Sequence, residues 1–109
     1  LCHTNHFISL RLAGIKDRGK IYFPDSYVRY GRASKLIALA EAPLPQEAIK
    51  AILKDHVEYP DSICRHEDTN DQPGFRVGTV FSIIMHLNRQ EMQLSFGPPC
   101  SEAYQTYKL

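Results

Sequence analysis

Apolar residues in the first half of the chain recur at helical spacing. From residue 25 to about 42 they return every three or four positions, which predicts a helix with one buried face. Asp25-Ser26 is predicted to cap its first turn with a short side-chain oxygen, and Pro43 to end it. A second helix is predicted directly after Pro45, because proline is favoured in a first helical turn.

The second half carries strand patterns. Residues 79–87 are apolar on both faces, which is typical of a strand that is covered on both sides. Residues 88–90 are predicted to form a hairpin turn, and residues 91–96 alternate as a half-buried strand does. A last short strand is predicted within residues 104–109. The preceding stretch, 57–78, is rich in Asp, Asn, Pro and Gly and predicts a long ordered loop.

The opening residues, 2–12, alternate loosely and are interpreted as a strand followed by a loop. The predicted order is therefore strand, two helices, loop and antiparallel strands, an α+β class within a single domain spanning residues 1–109. Only two helices are available to cover the strand at 79–87. We therefore expect one of its apolar faces to remain partly exposed.

Composition excludes several functions. Thirteen basic and twelve acidic residues give a net charge of +1, and the basic residues are dispersed, so no nucleic-acid partner is expected. No apolar run approaches the length of a membrane span, so no membrane partner is expected. Neither a phosphate loop nor a dinucleotide fingerprint occurs, and no cofactor is expected.

Three widely spaced cysteines, an odd number, favour a reducing compartment, and we expect a cytoplasmic protein. The ending Tyr107-Lys108-Leu109 is only weakly similar to a peroxisomal signal, because tyrosine is too large for the usual small residue. The chain also has no initiator Met, so we expect it to be part of a longer protein.

Several short motifs follow one another in an order typical of a known family. They are His3-Thr4-Asn5-His6, Asp25-Ser26 with Arg29 and Arg32, Asp55, Tyr59-Pro60, Ser62-Ile63-Cys64-Arg65, Gly78-Thr79-Val80-Phe81-Ser82-Ile83-Ile84 and Gly97-Pro98-Pro99-Cys100. On these motifs the chain resembles the C-terminal part of the acyl-CoA:6-aminopenicillanic acid acyltransferase (isopenicillin N acyltransferase) family. Its members are N-terminal-nucleophile (Ntn) hydrolases that cleave themselves. The resemblance implies a four-layer αββα sandwich, of which this chain would supply the C-terminal portion.

The same resemblance implies two site residues. Asn5 would be a catalytic oxyanion-hole donor, because acyl transfer builds negative charge on a carbonyl oxygen that a fixed amide N–H can stabilise. Arg76 would bind substrate, because its planar guanidinium can pair with a carboxylate through two hydrogen bonds. The alternatives are an Asn5 that caps a local turn and an Arg76 that is a solvated surface residue.

Other reactive side chains are interpreted structurally. Cys64 is expected to be a small buried residue and Arg65 an ion-paired loop anchor. Cys2 follows Leu1 and is not expected to be the nucleophile, which in the family lies upstream of this segment.

A metal site is not expected. His3, His6, Cys64 and His66 are ligand types, but their spacing lacks the two tight pairs of a typical structural zinc site.

Two function classes remain. In the first, the intact protein is an acyltransferase or amidohydrolase acting on an amide or an acyl-CoA thioester. An upstream cysteine would be its nucleophile, the upstream part of the protein its partner, and the 109 residues alone would be inactive. In the second, the chain is a non-catalytic binding module or pseudoenzyme. A Gly-Cys junction upstream would favour the enzyme.

Overall fold

The computed structural model describes residues 1–109, apart from the side chain of Lys20. It consists of two compact units, Leu1–Pro45 and Gln46–Leu109. Helices occupy the first unit, whereas the second combines a helix with a three-stranded antiparallel sheet. The α+β class predicted from the sequence is therefore confirmed.

The first unit contains a 3₁₀ helix, Leu10–Leu12, and two α-helices, α1 (Arg18–Tyr22) and α2 (Asp25–Leu39). The predicted strand within residues 2–12 is wrong. Instead the Ser9 hydroxyl accepts a hydrogen bond from the Arg11 backbone N–H at 3.3 Å, which caps the 3₁₀ turn. A serine side chain that bonds to nearby backbone competes with strand pairing, and loose alternation does not overcome it.

Helix α2 begins as predicted, but with a different cap. Pro24 occupies the N-cap position, and no side chain bonds to the first free backbone N–H groups there. Asp25 already lies within the helix, where its charge complements the helix dipole and pairs with Arg29 at 2.8 Å. The helix ends at Leu39, before the predicted end near residue 42, because Ala40 is already extended.

The second unit begins with α3 (Gln46–Leu53), directly after Pro45 as predicted. Strands β1 (Phe81–His86), β2 (Glu91–Phe96) and β3 (Gln105–Lys108) follow in the order β1-β2-β3. The predicted hairpin turn is confirmed. It consists of a 3₁₀ helix, Leu87–Arg89, closed by Gln90 in the left-handed conformation with a φ of 51°. The predicted last strand is confirmed as β3.

The two faces of the sheet differ in exposure. Phe81, Ile83 and Met85 lie on one face of β1 and are 56%, 40% and 56% exposed. Their β2 partners Phe96, Leu94 and Met92 continue the same apolar face. On the opposite face Ser82, Ile84 and Ser95 are buried. The expectation of a partly exposed apolar face is confirmed.

Gln46 connects α3 with the buried face of the sheet. Its amide nitrogen donates to Oε1 of Gln93 at 3.1 Å, and its oxygen lies 2.7 Å from Nε2 of His86. Tyr104 covers the same face, with its hydroxyl 2.7 Å from Oγ of Ser82. Short polar contacts therefore hold the helix and the sheet of this unit together.

The loop between α3 and β1 is ordered by its own backbone. The Cys64 N–H donates to the Asp55 carbonyl at 3.0 Å, and the His66 N–H donates to the Pro60 carbonyl at 3.0 Å. Farther along, the Thr79 N–H donates to the Arg65 carbonyl at 2.9 Å. The ordered loop predicted from the sequence is thus confirmed. Within the described residues no helix has the length and apolar character needed to cross a membrane.

Candidate functional site

The His3–His6 motif is attached to α2 through one buried hydroxyl group. Oγ of Ser26 accepts a hydrogen bond from the backbone N–H of Asn5 at 2.8 Å. The same oxygen lies 2.9 Å from Nδ1 of His6 and 3.0 Å from Oγ1 of Thr4. Thr4 in turn donates to the Ser26 carbonyl at 2.9 Å. The first turn of α2 therefore fixes the backbone on which the Asn5 side chain is carried.

The Asn5 side chain is oriented by Arg29. Nη2 of Arg29 donates to Oδ1 of Asn5 at 2.8 Å, while Nε of the same guanidinium donates to Asp25 at 2.8 Å. The oxygen and nitrogen of an amide diverge from one carbon, so anchoring Oδ1 turns the NH₂ group away from Arg29. Asn5 itself is exposed. The arrangement presents a hydrogen-bond donor at the surface of this unit, as an oxyanion hole requires.

His6 completes the attachment by packing its ring on α2. The ring is 3% exposed and stacks on Tyr27, with the ring centres 3.8 Å apart and the planes inclined by 20°. Tyr30 contacts it edge-on at 5.5 Å. A buried imidazole with two aromatic contacts is a structural support, and it makes the chain next to Asn5 rigid.

Gly19 lets α1 approach this motif closely. A Cβ atom added at Gly19 would overlap the backbone oxygen of Asn5 and lie 3.1 Å from Oδ1 of Asp17. Asp17 also accepts a hydrogen bond from the Phe7 backbone N–H at 2.7 Å. The position of Asn5 therefore depends on the absence of a side chain at Gly19.

An open groove of about 480 Å³ lies beside the segment that follows the His3–His6 motif in the sequence. Phe7, Ile8 and Tyr27 contribute to its lining beside the motif, and Leu10 and Ile21 line it farther on. Ser9, Lys16 and Asp17 also line it, so the groove combines apolar and polar surface.

Arg76 lies in the second unit, in the loop before β1. Its guanidinium donates to the backbone carbonyls of Thr69 at 3.1 Å and Asp71 at 3.3 Å. The side chain is exposed and lines a groove of about 590 Å³, together with Gly97 and Pro98. Asn5 and Arg76 belong to different compact units, Leu1–Pro45 and Gln46–Leu109.

The structural roles expected for Cys64 and Arg65 are confirmed. Cys64 is fully buried, and Arg65 forms an ion pair with Asp61. Burial raises the pKa of the Cys64 thiol to about 11. A free thiol with that pKa remains protonated at neutral pH, so Cys64 is not an activated nucleophile.

The structure gathers four ligand-type side chains that the sequence did not connect. Nitrogen or sulfur atoms of His56, Cys64, His66 and Cys100 all lie within 4.8 Å of one another. The spacing of His3, His6, Cys64 and His66 predicts no metal site, and the sequence pattern does not connect Cys64 and His66 with His56 or Cys100. The cluster forms without the two tight pairs of a typical structural zinc site, because Cys100 joins it from the turn after β2. The Cys-x-His spacing and the cysteine of Gly97-Pro98-Pro99-Cys100 were the signals available in the sequence.

A comparison with protein families identifies the chain. The sequence model of the acyl-coenzyme A:6-aminopenicillanic acid acyl-transferase family matches residues 1–100. The chain belongs to this family. The acyl-transferase match includes the His3–His6 motif, α2 and the Cys64 loop, and it ends at Cys100, before β3. Among curated proteins, no relative matches the chain.

Proposed function

We propose that the protein containing this chain is an Ntn-type cysteine acyltransferase or amidohydrolase that acts on amide or acyl-CoA thioester groups. The family match over residues 1–100 supports an acyltransferase activity. The observation that carries the proposal is that Asn5 is held at two points. Its backbone N–H donates to Ser26, and its side-chain oxygen accepts a hydrogen bond from Arg29. These two hydrogen bonds fix the orientation of the side-chain NH₂ group before substrate binds.

In the proposed reaction, a cysteine thiolate upstream of this chain attacks the acyl carbonyl carbon. The carbonyl π electrons move to oxygen, and Nδ2 of Asn5 donates a hydrogen bond to the resulting oxyanion. When the tetrahedral intermediate collapses, the bond to the amine or thiol leaving group breaks and the acyl group remains on the cysteine. An acceptor amine, thiol or water then removes the acyl group. The α-amine of the nucleophile takes the thiol proton before the attack and gives it to the leaving group as the intermediate collapses; in the second step it takes a proton from the acceptor and returns it to the cysteine sulfur.

Arg76 is proposed to orient a charged part of the substrate. Arg65 and Glu67 line the same groove, so an incoming carboxylate would meet side chains of both charges there. Arginine binds carboxylates through a planar pair of donors, which adds direction as well as charge. The two backbone carbonyls that hold Arg76 keep its head group ordered.

The rest of the Ntn sandwich is proposed to cover the exposed sheet face. Phe81, Ile83 and Met85 form with their β2 partners an apolar face that carries little polar surface of its own. Apolar patches of this kind are normally interaction surfaces. The upstream part of the same protein is the proposed partner, because an αββα sandwich packs two sheets face to face.

The decisive experiment replaces Asn5 in the intact protein. Asn5→Asp keeps the shape of the side chain and an oxygen for Arg29, but it replaces the NH₂ donor with a carboxylate oxygen. We expect turnover to fall by roughly two to three orders of magnitude, with an unchanged melting temperature. Asn88→Ala, at an exposed position of the hairpin turn, is the matched control and should retain full turnover.

Normal turnover in Asn5→Asp would contradict the oxyanion role. Loss of turnover together with a collapsed melting temperature would indicate a structural role for Asn5 instead. An intact protein that has no Gly-Cys junction upstream of this chain, and that transfers no acyl group, would favour the non-catalytic module.

A further inference from the structure

The four side chains at His56, Cys64, His66 and Cys100 have the mutual distances of a metal ligand set. Nε2 of His56 and Nε2 of His66 are 3.1 Å apart. Nε2 of His66 is also 3.7 Å from Sγ of Cys64 and 3.4 Å from Sγ of Cys100. All four ligand atoms lie within 4.8 Å of one another.

These distances match a tetrahedral zinc site. Zinc–nitrogen bonds of about 2.05 Å and zinc–sulfur bonds of about 2.3 Å, at tetrahedral angles, separate two nitrogens by about 3.3 Å and a nitrogen from a sulfur by about 3.6 Å. The three separations given above differ from these values by only a few tenths of an ångström. The three remaining separations are at most 4.8 Å, so side-chain movements of about 1 Å would bring them to the values of a zinc site.

The charge of the ligand set also favours Zn²⁺. Two cysteines release their protons to solvent on binding, and the two thiolates with two neutral imidazoles give a complex of zero net charge. A neutral complex suits a site in which Cys64 is fully buried while His56 and Cys100 remain exposed to solvent. Thiolate and imidazole ligands in a tetrahedral set are characteristic of zinc, whereas carboxylate and carbonyl oxygens would favour magnesium or calcium.

The backbone holds the ligands in place without the metal. Cys64 and His66 belong to a loop whose N–H groups bond to the carbonyls of Asp55 and Pro60 at 3.0 Å each. Cys100 lies in a turn closed by the Ser101 N–H and the Pro98 carbonyl at 3.1 Å. The ligands come from two segments: the loop between α3 and β1, which holds His56, Cys64 and His66, and the turn after β2, which holds Cys100. A metal bound here would connect the two.

We propose that His56, Cys64, His66 and Cys100 form a structural zinc site. Four protein ligands occupy every tetrahedral position, so the ion has no open position for substrate and its role is to stabilise the second unit. The site is independent of the proposed acyl-transfer chemistry, since none of its ligands is assigned to that reaction.

The test measures zinc binding to the intact protein. Protein purified under reducing conditions is stripped with a chelator, reloaded with zinc chloride, and desalted before its metal content is determined. We expect about one zinc ion per chain, and a higher melting temperature in the loaded protein than in the stripped protein. Cobalt(II) loading should give the strong visible bands of a tetrahedral ion and a near-ultraviolet thiolate-to-cobalt band.

Two ligand variants and two controls make the assignment specific. Cys100→Ser and His56→Gln change exposed residues, and each should weaken zinc binding at least about tenfold in competition with a chelating dye. Cys2→Ser and His3→Gln alter the same residue types in the first unit and should bind zinc as the parent protein does. Circular dichroism of each variant verifies that it is folded.

Three results would overturn the proposal. The first is a reloaded protein that retains no zinc, and the second is equal zinc affinity in the parent and both ligand variants. The third is a Cys64–Cys100 disulfide, detected by peptide mapping of protein isolated under reducing conditions without zinc.

Discussion

Removing the Ser26 hydroxyl should destabilise the intact protein and displace Asn5. Ser26 is fully buried, and its Oγ contacts three groups: the Asn5 backbone N–H, Nδ1 of His6 and Oγ1 of Thr4. In Ser26→Ala all three contacts are lost together. The substitution removes only one oxygen atom, so the loss of these contacts is its main effect.

The expected loss of stability depends on which hydrogen bonds each partner of Ser26 retains in the variant. Thr4 still donates to the Ser26 carbonyl, and His6 still has Oγ1 of Thr4 at 3.2 Å, so these two lose about 0.5–1.5 kcal/mol each. The part-buried Asn5 N–H loses its acceptor, which costs about 1–3 kcal/mol. Alanine returns roughly 0.5 kcal/mol through its higher helix propensity. The free energy of unfolding should therefore fall by about 1.5–5.5 kcal/mol.

Urea unfolding of the intact protein measures this change through the shift in midpoint at constant slope. Ser34→Ala, the same substitution at a half-buried position of α2, is the control and should change stability by less than about 0.5 kcal/mol. Acyl transfer should decline in Ser26→Ala but not in the control. A Ser26→Ala protein as stable as Ser34→Ala would refute the hydrogen-bonded attachment described above.

Three further substitutions test neighbouring features. Arg29→Lys should lower turnover about tenfold with little loss of stability, because a single ammonium group cannot reproduce the two guanidinium hydrogen bonds that connect Asp25 with Asn5. Unchanged turnover would contradict a positioning role for Arg29. Gly19→Ala should lower both the melting temperature and the turnover, whereas Gly14→Ala, which has open space around its Cα, should do neither. Met85→Lys should destabilise the intact protein by about 2 kcal/mol or more in urea unfolding if the sheet face is covered there, and a neutral result would argue against that cover.

Local signals predicted most of the fold. Helix α3 follows a proline, the hairpin turn separates two apolar runs, and β2 alternates with period two. These features are decided by residues close together in the sequence. Helix α1 was missed because it is short and contains Gly19, which lowers helix propensity.

Non-local contacts account for the rest. The sequence predicts a helix cap at Ser26, because serine near a helix start usually bonds to the helix backbone. Its actual partner is the segment around Asn5, which no local pattern could reveal. The ligand cluster was missed for the same reason, since Cys100 reaches His66 only after the chain has passed through β1 and β2.

The position of β1 has a practical consequence for producing residues 1–109 by themselves. β1 is the most apolar strand, yet it lies at an edge of the sheet, with β2 as its neighbour. Natural edge strands usually carry lysine, proline or a bulge, which discourage pairing with other molecules. β1 carries none of these in its sequence from Phe81 to His86. Expressed alone, the chain should add further copies along this strand and aggregate, and a lysine at an outward position of β1 is the change that should keep it in solution.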